Sequence, residues 1–253
     1  MIDVRKGVVE YIYYPALLSE AGKRRFRMGN LGKLICIEAG DGSGKETQTD
    51  KLFQRLQDNH EQVRKISFPN YESESSSLIK MYLNGDFGKS PGDVSPYIAS
   101  TFYAVDRYAS YKKDWEEFYQ GGGIVLADRY TTSNMVHQAV KITDSEARKK
   151  YLDWLLDFEF TLFGLPKPDC VIFLDMPPKY SSQLILNRRN KITGAMEKDI
   201  HERDTVYLEQ SYKGSLWLSE TYGWHKIPCV ANGKIRSIDD IHNDIYDVVS
   251  SYL

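Results

Sequence analysis

The sequence predicts an α/β fold in which a parallel five-stranded sheet carries helices on both faces. Three observations support this. Short apolar runs alternate along the chain with longer stretches of helical periodicity. Those runs are continuous rather than interleaved with polar residues, as strands covered on both faces require. The first of them, "KLICIEAG" at 33–40, leads through a glycine loop straight into a helix-like stretch.

The elements follow in order. After "KLICIEAG" a helix is expected through about Asn59, and "QVRKISF" is the second strand candidate. "NYESESSSLIKMYLNGDFGKSPGDVSP" is polar and punctuated by Gly and Pro, which predicts one short helix before a loop. "YIASTFYAVDRYASYKKDWEEFYQ" spaces its apolar residues at helical intervals, and "GGG" ends it. "IVLAD" is the third strand and "EARKKYLDWLLDFEFTLF" the next helix. "DCVIFLD" is the fourth strand, and "PPKYSSQLILNRRN" opens a helix with prolines at its start. "WHKIPCVA" is the fifth strand, and "SIDDIHNDIYDVVSSYL" closes the chain as a helix with one polar face. No internal repeat or low-complexity segment interrupts the series. Residues 1–27 form an N-terminal extension of unknown role, with Met28 as an alternative start. An ordered surface element is an equal reading of that extension. Residues 28–253 are then expected to form a single domain.

Composition narrows the function classes. A chain of 253 residues, 42% of them hydrophobic, can bury one substantial core. A net charge of −2 gives no broad basic field, which argues against a nucleic-acid polymer as partner. The longest apolar runs are strand-sized, so no transmembrane helix or membrane partner is expected. The first residues lack the apolar core of a secretory signal. Cys36, Cys170 and Cys229 each sit inside an apolar run. Three cysteines without paired spacing argue against a disulfide framework or a zinc site, and for buried thiols in a reducing cytoplasm.

The chemistry begins at "EAGDGSGKETQTDKL", residues 38–52. This is close to the phosphate-binding pattern G-x-x-x-x-G-K-[ST]. Such a loop turns backbone N–H groups toward phosphate oxygens at a helix N-terminus. Its glycines let the backbone approach, and its lysine reaches the β and γ phosphates. Gly40, Asp41, Gly42, Ser43, Gly44, Lys45, Glu46 and Thr47 are the candidate ATP phosphate ligands. Two positions depart from the pattern. Ala39 replaces the first glycine, which its backbone tolerates if φ is negative. Glu46 replaces the hydroxyl that normally binds Mg²⁺. Three readings of Glu46 stand: a carboxylate ligand for Mg²⁺, a side chain in solvent, or a repulsive group marking a dead site.

A second constellation is "GGGIVLADRYTTSNMVHQ", residues 121–138. Asp128 ends a strand, where a Walker-B-like carboxylate holds Mg²⁺. Arg129 beside it offers the best planar partner for a phosphate. A surface ion pair at a strand end reads equally well from these two residues alone.

Taken together, the chain resembles the thymidylate kinase family. "EAGDGSGKETQ", "FPNY" at 68–71, "FYAVDR" at 102–107, "DRYTTSN" at 128–134, "PDCVIFLD" at 168–175 and "DIHERD" at 199–204 occur in the family's order. The resemblance implies a P-loop nucleoside monophosphate kinase fold with a mobile lid. It implies transfer of the γ-phosphate of ATP to dTMP with Mg²⁺, and commonly a homodimer formed by packing helices. Lys45, Asp41, Arg129 and Arg189 are then the expected catalytic residues, and Glu46 and Asp128 the metal candidates. Arg129 would hold the acceptor phosphate. Phe68, Tyr71, Tyr103, Arg107 and Asn134 would wall and read the base and sugar. Without the family, Tyr103 and Phe68 read as core aromatics. "NRRNKITGAMEKDIHERD", residues 187–204, is the expected lid, with Arg189 as its leading cation among Arg188, Lys191 and Lys198. Asp199 and Glu202 match the acidic positions of the family's D-x-x-E lid element, His201 between them lies near the sugar, and Asp199 and His201 are assigned to substrate binding. Two other readings remain: a related kinase for another nucleoside monophosphate, and a non-catalytic nucleotide sensor.

Overall fold

The computed structural model describes residues 31–185 and 205–253. The expected N-terminal extension, and the lid with Arg189, Asp199 and His201, lie outside the described residues. Five parallel strands form one sheet: β1 (Lys33–Ala39), β2 (Val63–Ser67), β3 (Ile124–Asp128), β4 (Cys170–Asp175) and β5 (His225–Pro228), in the order β2-β3-β1-β4-β5. After β1 the chain builds first to one side of it and then to the other. The reversal leaves a crevice at the carboxyl ends of β1 and β3, where open α/β sheets bind ligands.

Alternation within each central strand explains the continuous apolar runs. Ile35 and Ile37 of β1 face one core, together with Ile124 and Leu126 of β3. Leu34 and Cys36 face the other, together with Val125 and Ala127. The first core is closed by Leu52 and Leu56 of α1 (Lys45–Asp58) and by Ile241, Ile245 and Val249 of α9 (Ile238–Ser250). The second is closed by Tyr111, Trp115 and Tyr119, which continue from α3 (Pro96–Ser110) through a π-helical turn (Tyr111–Trp115) into α4 (Glu116–Gln120).

The remaining elements depart from the sequence reading in detail. The polar segment after β2 holds a 3₁₀ turn (Glu74–Ser76) before α2 (Ser77–Asn84), and a further turn at Pro91–Asp93. Asp106 on α3 accepts from the amide of Asn70 at 2.8 Å and the hydroxyl of Ser75 at 2.6 Å, which ties this loop to the helix below it. α5 (Thr131–Ala139) follows β3 without a run of helical apolar spacing. α6 (Ser145–Leu156) runs on into a π-helical turn at Asp157–Leu162. α7 (Pro178–Ile185) and α8 (Thr205–Thr221) precede β5. The fifth strand is shorter than "WHKIPCVA" suggests. It stops at Pro228, and Val230–Ala231 (β6) pairs antiparallel with Lys234–Ile235 (β7) in a separate hairpin. Among the described residues no helix is long and apolar enough to cross a membrane.

Candidate active site

The register of the sheet builds the site. Ile37 of β1 lies opposite Asp128 of β3, so the loops leaving both strands start at the same level. After β1 the chain turns through Gly42 at φ 72° and Gly44 at φ 77°, conformations that glycine adopts without steric cost. Gly44 caps α1, so the helix N-terminus opens toward the loop. The Ser43 hydroxyl donates to the Gly40 carbonyl at 2.7 Å and folds the loop on itself. Ala39 meets the condition set by its sequence position. It is the last residue of β1 and is not among the positive-φ residues, and its N–H donates to Oε1 of Glu38 at 3.0 Å. A first glycine is therefore not needed here.

Lys45 opens α1 and forms an ion pair with Asp128 at the end of β3. Burial, and then the charge of Arg129, pull the lysine below its usual pKa, while Asp128 opposes them. Glu46 and Thr47 are exposed on the first turn of α1.

Arg129 is the centre of the arrangement. It stands at φ 70°, a left-handed conformation that costs a non-glycine residue about 1–3 kcal/mol and is tolerated where surroundings over-determine it. Here they do. Its amide donates to the Ile37 carbonyl at 3.1 Å. Its guanidinium donates to Asp41 at 2.6 Å, Glu38 at 3.2 Å, the Ser133 hydroxyl at 3.4 Å and Nε2 of His137 at 3.1 Å. Burial alone would pull its pKa down, but Asp41 and Glu38 hold it above the usual arginine value. Glu38 is 1% exposed and also accepts from the hydroxyls of Thr132 at 2.8 Å and Ser133 at 2.7 Å.

On the far side, Phe68, Tyr71, Tyr103, Arg107 and Asn134 converge on the same cleft. Phe68 packs near Tyr130 with ring centroids 6.0 Å apart, and Tyr103 meets Tyr82 edge-on at 6.4 Å. Both are therefore partly core aromatics and partly cleft wall. Arg107 and Asn134 are almost wholly buried, and both reach Glu159. The cleft encloses about 550 Å³ and continues past the loop to Gln48, Arg236 and Ile238. That volume lies inside the range of small-molecule sites.

The structure thus brings together all of the sequence-derived site residues that lie within the described segments. Sequence reasoning missed Glu38, Ser133, His137 and Glu159. Two carried a signal: an acid inside "ICIEAG" and another inside "LLDFEFTLF" break apolar runs, and a buried acid demands partners.

His137 supplies a pH prediction. It lines the cleft, and its ring stacks on Tyr207 with centroids 6.1 Å apart. Burial first, and then the Arg129 charge, lower its pKa from 6.5 to about 4. Above pH 6.5 both folded and unfolded states hold it neutral. Between 6.5 and about 4 only the unfolded state takes the proton, so stability falls as pH drops through that window. Because part of the ring faces the cleft, the loss from this residue is about 2 kcal/mol by pH 4.5. Urea denaturation at pH 7.0, 5.5 and 4.5 is expected to show a steeper decline for the unaltered chain than for His137→Gln. Parallel declines would remove this role.

A glycine loop at a helix N-terminus, a lysine and a strand-end aspartate, and a buried arginine facing an aromatic pocket define a P-loop phosphotransferase with a second, base-sized subsite. The family model for thymidylate kinase matches residues 37–232, and the chain belongs to the thymidylate kinase family. A thymidylate kinase of Mycobacterium tuberculosis (strain ATCC 25618 / H37Rv) is 30% identical over 190 residues, covering 72% of this chain and 86% of that protein. One of Plasmodium falciparum (isolate 3D7) is 28% identical, covering 87% and 90%. The solved structure of the thymidylate kinase from Candida albicans shares the fold at a TM-score of 0.64 and 21% identity, over 88% of this chain and 92% of that one.

Proposed function

We propose that this protein phosphorylates dTMP to dTDP with ATP as donor, as a step toward dTTP. The observation that supports it best is the continuity of the cleft. The phosphate loop lies at one end, the Phe68–Tyr71–Tyr103–Arg107–Asn134 pocket at the other, and Arg129 sits between them. Phosphoryl transfer needs two polyanions held in line, and a cation between them removes the repulsion. Lys45 and the loop N–H groups bind the donor phosphates. Arg129 binds the acceptor phosphate. Asp41, fixed by Arg129 at 2.6 Å, borders the position of the moving group.

Mg²⁺ fits the residues present. Among the described residues no three His, Cys, Asp or Glu side chains cluster as a metal cage. Mg²⁺ needs none, because it takes one or two carboxylates and completes its shell with water and phosphate oxygens. Asp128 and the exposed Glu46 are the carboxylates we assign to it. When bound, it neutralises charge on the donor phosphates. We assign residues 187–204 as the lid, with Arg189 as its leading cation and Asp199 and His201 toward the acceptor. The loop positions around Lys45 contain no arginine, so the lid is where a transferring cation is supplied. Residues 28–253 constitute the single kinase domain in this reading. The three buried thiols suit a reducing cytoplasm.

We also propose a homodimer. Ile98, Val105 and Tyr108 stand 41–52% exposed along one side of α3, and Leu162, at the end of the π-helical turn after α6, is 65% exposed. Val105→Glu is expected to weaken self-association at least about tenfold, read by sedimentation velocity at micromolar concentration, because it buries a charge in an apolar contact. An unaltered chain that is monomeric at these concentrations defeats the proposal.

The functional test is turnover of dTMP, dUMP, ribosyl TMP, dGMP, dCMP and thymidine side by side with ATP and Mg²⁺. Strong preference for dTMP is expected. Binding of ATP without turnover of any acceptor would overturn the reading.

A further inference from the structure

Glu159 lies on the π-helical turn after α6 and is 0% exposed. Its two oxygens accept four hydrogen bonds. Oε2 takes Arg107 Nε at 2.7 Å and the Thr131 hydroxyl at 2.7 Å. Oε1 takes Arg107 Nη2 at 2.5 Å and Asn134 Nδ2 at 3.1 Å. Three of the four are N–H groups that can only donate, and the Thr131 hydroxyl donates as well, so a carboxylate satisfies all four at once.

This has a consequence for the two residues that face the pocket. Asn134 Nδ2 spends one hydrogen on Glu159 and the other on the Ser100 carbonyl at 3.3 Å. Both neighbours are acceptors, which fixes the amide orientation: nitrogen inward, Oδ1 as the remaining polar group of a residue that lines the cleft. Arg107 spends Nε and Nη2 on Glu159. Its Nη1 remains, 3.5 Å from the Tyr130 carbonyl, on a side chain that also lines the cleft. Asn134 and Arg107 therefore offer the cleft a fixed acceptor and a fixed donor.

We propose that Glu159 is a positioning residue that sets this polarity, and that through it the site selects bases offering an N–H beside a carbonyl. Thymine and uracil offer N3–H and O4. Cytosine offers an acceptor at N3 and an amine at C4, so both contacts are reversed. The inference rests on the reading of the cleft as a nucleoside monophosphate kinase site. Glutamine at 159 would present an NH₂ where a donor already stands. With its NH₂ toward Asn134, glutamine removes one of the two acceptors that hold the Asn134 amide and leaves only the Ser100 carbonyl, so the amide can rotate and turn a donor toward the base.

The experiment uses the full chain and compares the unaltered enzyme, Glu159→Gln and Glu159→Asp for kcat/KM on dTMP, dUMP and dCMP at saturating Mg-ATP. The unaltered enzyme is expected to favour dTMP and dUMP over dCMP by about 10³-fold or more, because mismatched buried polar groups reject strongly. Glu159→Gln is expected to shrink the dTMP-to-dCMP ratio at least about tenfold while KM for ATP holds. Glu159→Asp keeps the ratio at reduced rate. A Glu159→Gln enzyme slowed equally on both substrates would make Glu159 a counterion only, and equal use of dCMP and dTMP by the unaltered enzyme would also overturn the proposal. Should Glu159→Gln fail to fold, side-chain amide exchange in ¹⁵N-asparagine-labelled unaltered protein decides. Two slowly exchanging Asn134 protons without nucleotide support the lock, and exchange at the free-amide rate refutes it. That measurement also separates the proposals: an enzyme inactive on every monophosphate sinks the kinase reading, while the amide protons still judge Glu159.

Discussion

Lys45→Ala is expected to lower kcat on dTMP by about 10²–10³-fold, the loss typical of removing one preorganised charge from a transferring group. The ammonium sits at the start of α1 and pairs with Asp128 at the floor of the loop. Burial and the neighbouring Arg129 hold its pKa down, while Asp128 opposes that shift and positions the side chain for an incoming polyanion. Its side chain is 12% exposed and the site opens to the cleft, so removal leaves Asp128 beside water rather than in a dry core. Asp128 is itself only 6% exposed and loses the lysine, so stability should fall by about 1–3 kcal/mol, with the opening to the cleft keeping the loss below that of a dry core. KM for ATP should rise as well, because the lysine also contributes to ground-state binding. Circular dichroism and thermal melting establish that the fold survives, and steady-state kinetics give the loss. Turnover within threefold of the unaltered enzyme would remove Lys45 from the mechanism.

The sequence revealed most of this because backbone chemistry is local. A glycine loop between an apolar strand and a helix can be read directly, and so can the central strands, whose both faces are buried. Two helices were hidden for a physical reason. α5 buries Thr131, Thr132, Asn134 and Gln138, so its inner face is polar and shows no apolar stripe. α8 turns Ser211, Ser215 and Ser219 inward at i, i+4 and i+8, and its buried side reads as solvent-facing. The long apolar run "WHKIPCVA" hid a break: β5 is an edge strand that ends at Pro228, and Val230–Ala231 pairs in a separate hairpin. At the site, the residues that touch substrate have motif signatures, whereas those that hold them do not. Glu38 and Glu159 act across 91 and 52 residues of sequence, on Arg129 and Arg107. Only the tertiary fold brings such pairs together.

Arg129 has the larger expected effect, and its two roles can be separated. Arg129→Met should lower kcat/KM for dTMP by about 10³-fold or more, since the acceptor phosphate loses the cation that offsets its repulsion from the donor phosphates. It should also cost about 3 kcal/mol of stability, because Glu38 keeps a charge at 1% exposure without its cation. The cost stays at the low end of the usual range because Ala39 N–H, Thr132 and Ser133 still donate to Glu38. Arg129→Lys tests the planar fork. One ammonium cannot fill both the Nη2 position at Asp41 and the Nη1 position at Glu38, so kcat/KM should fall about 10²-fold, while a positive charge kept beside buried Glu38 should preserve most of the stability. The decisive variant is Glu38→Gln with Arg129→Met. Removing the buried charge should restore about 2 kcal/mol of stability, measured by urea denaturation, because no uncompensated carboxylate remains. Activity should not return, because the acceptor phosphate still lacks its cation. If turnover recovered together with stability, Arg129 would be a structural counterion for Glu38, and the phosphate would have to be held by another group.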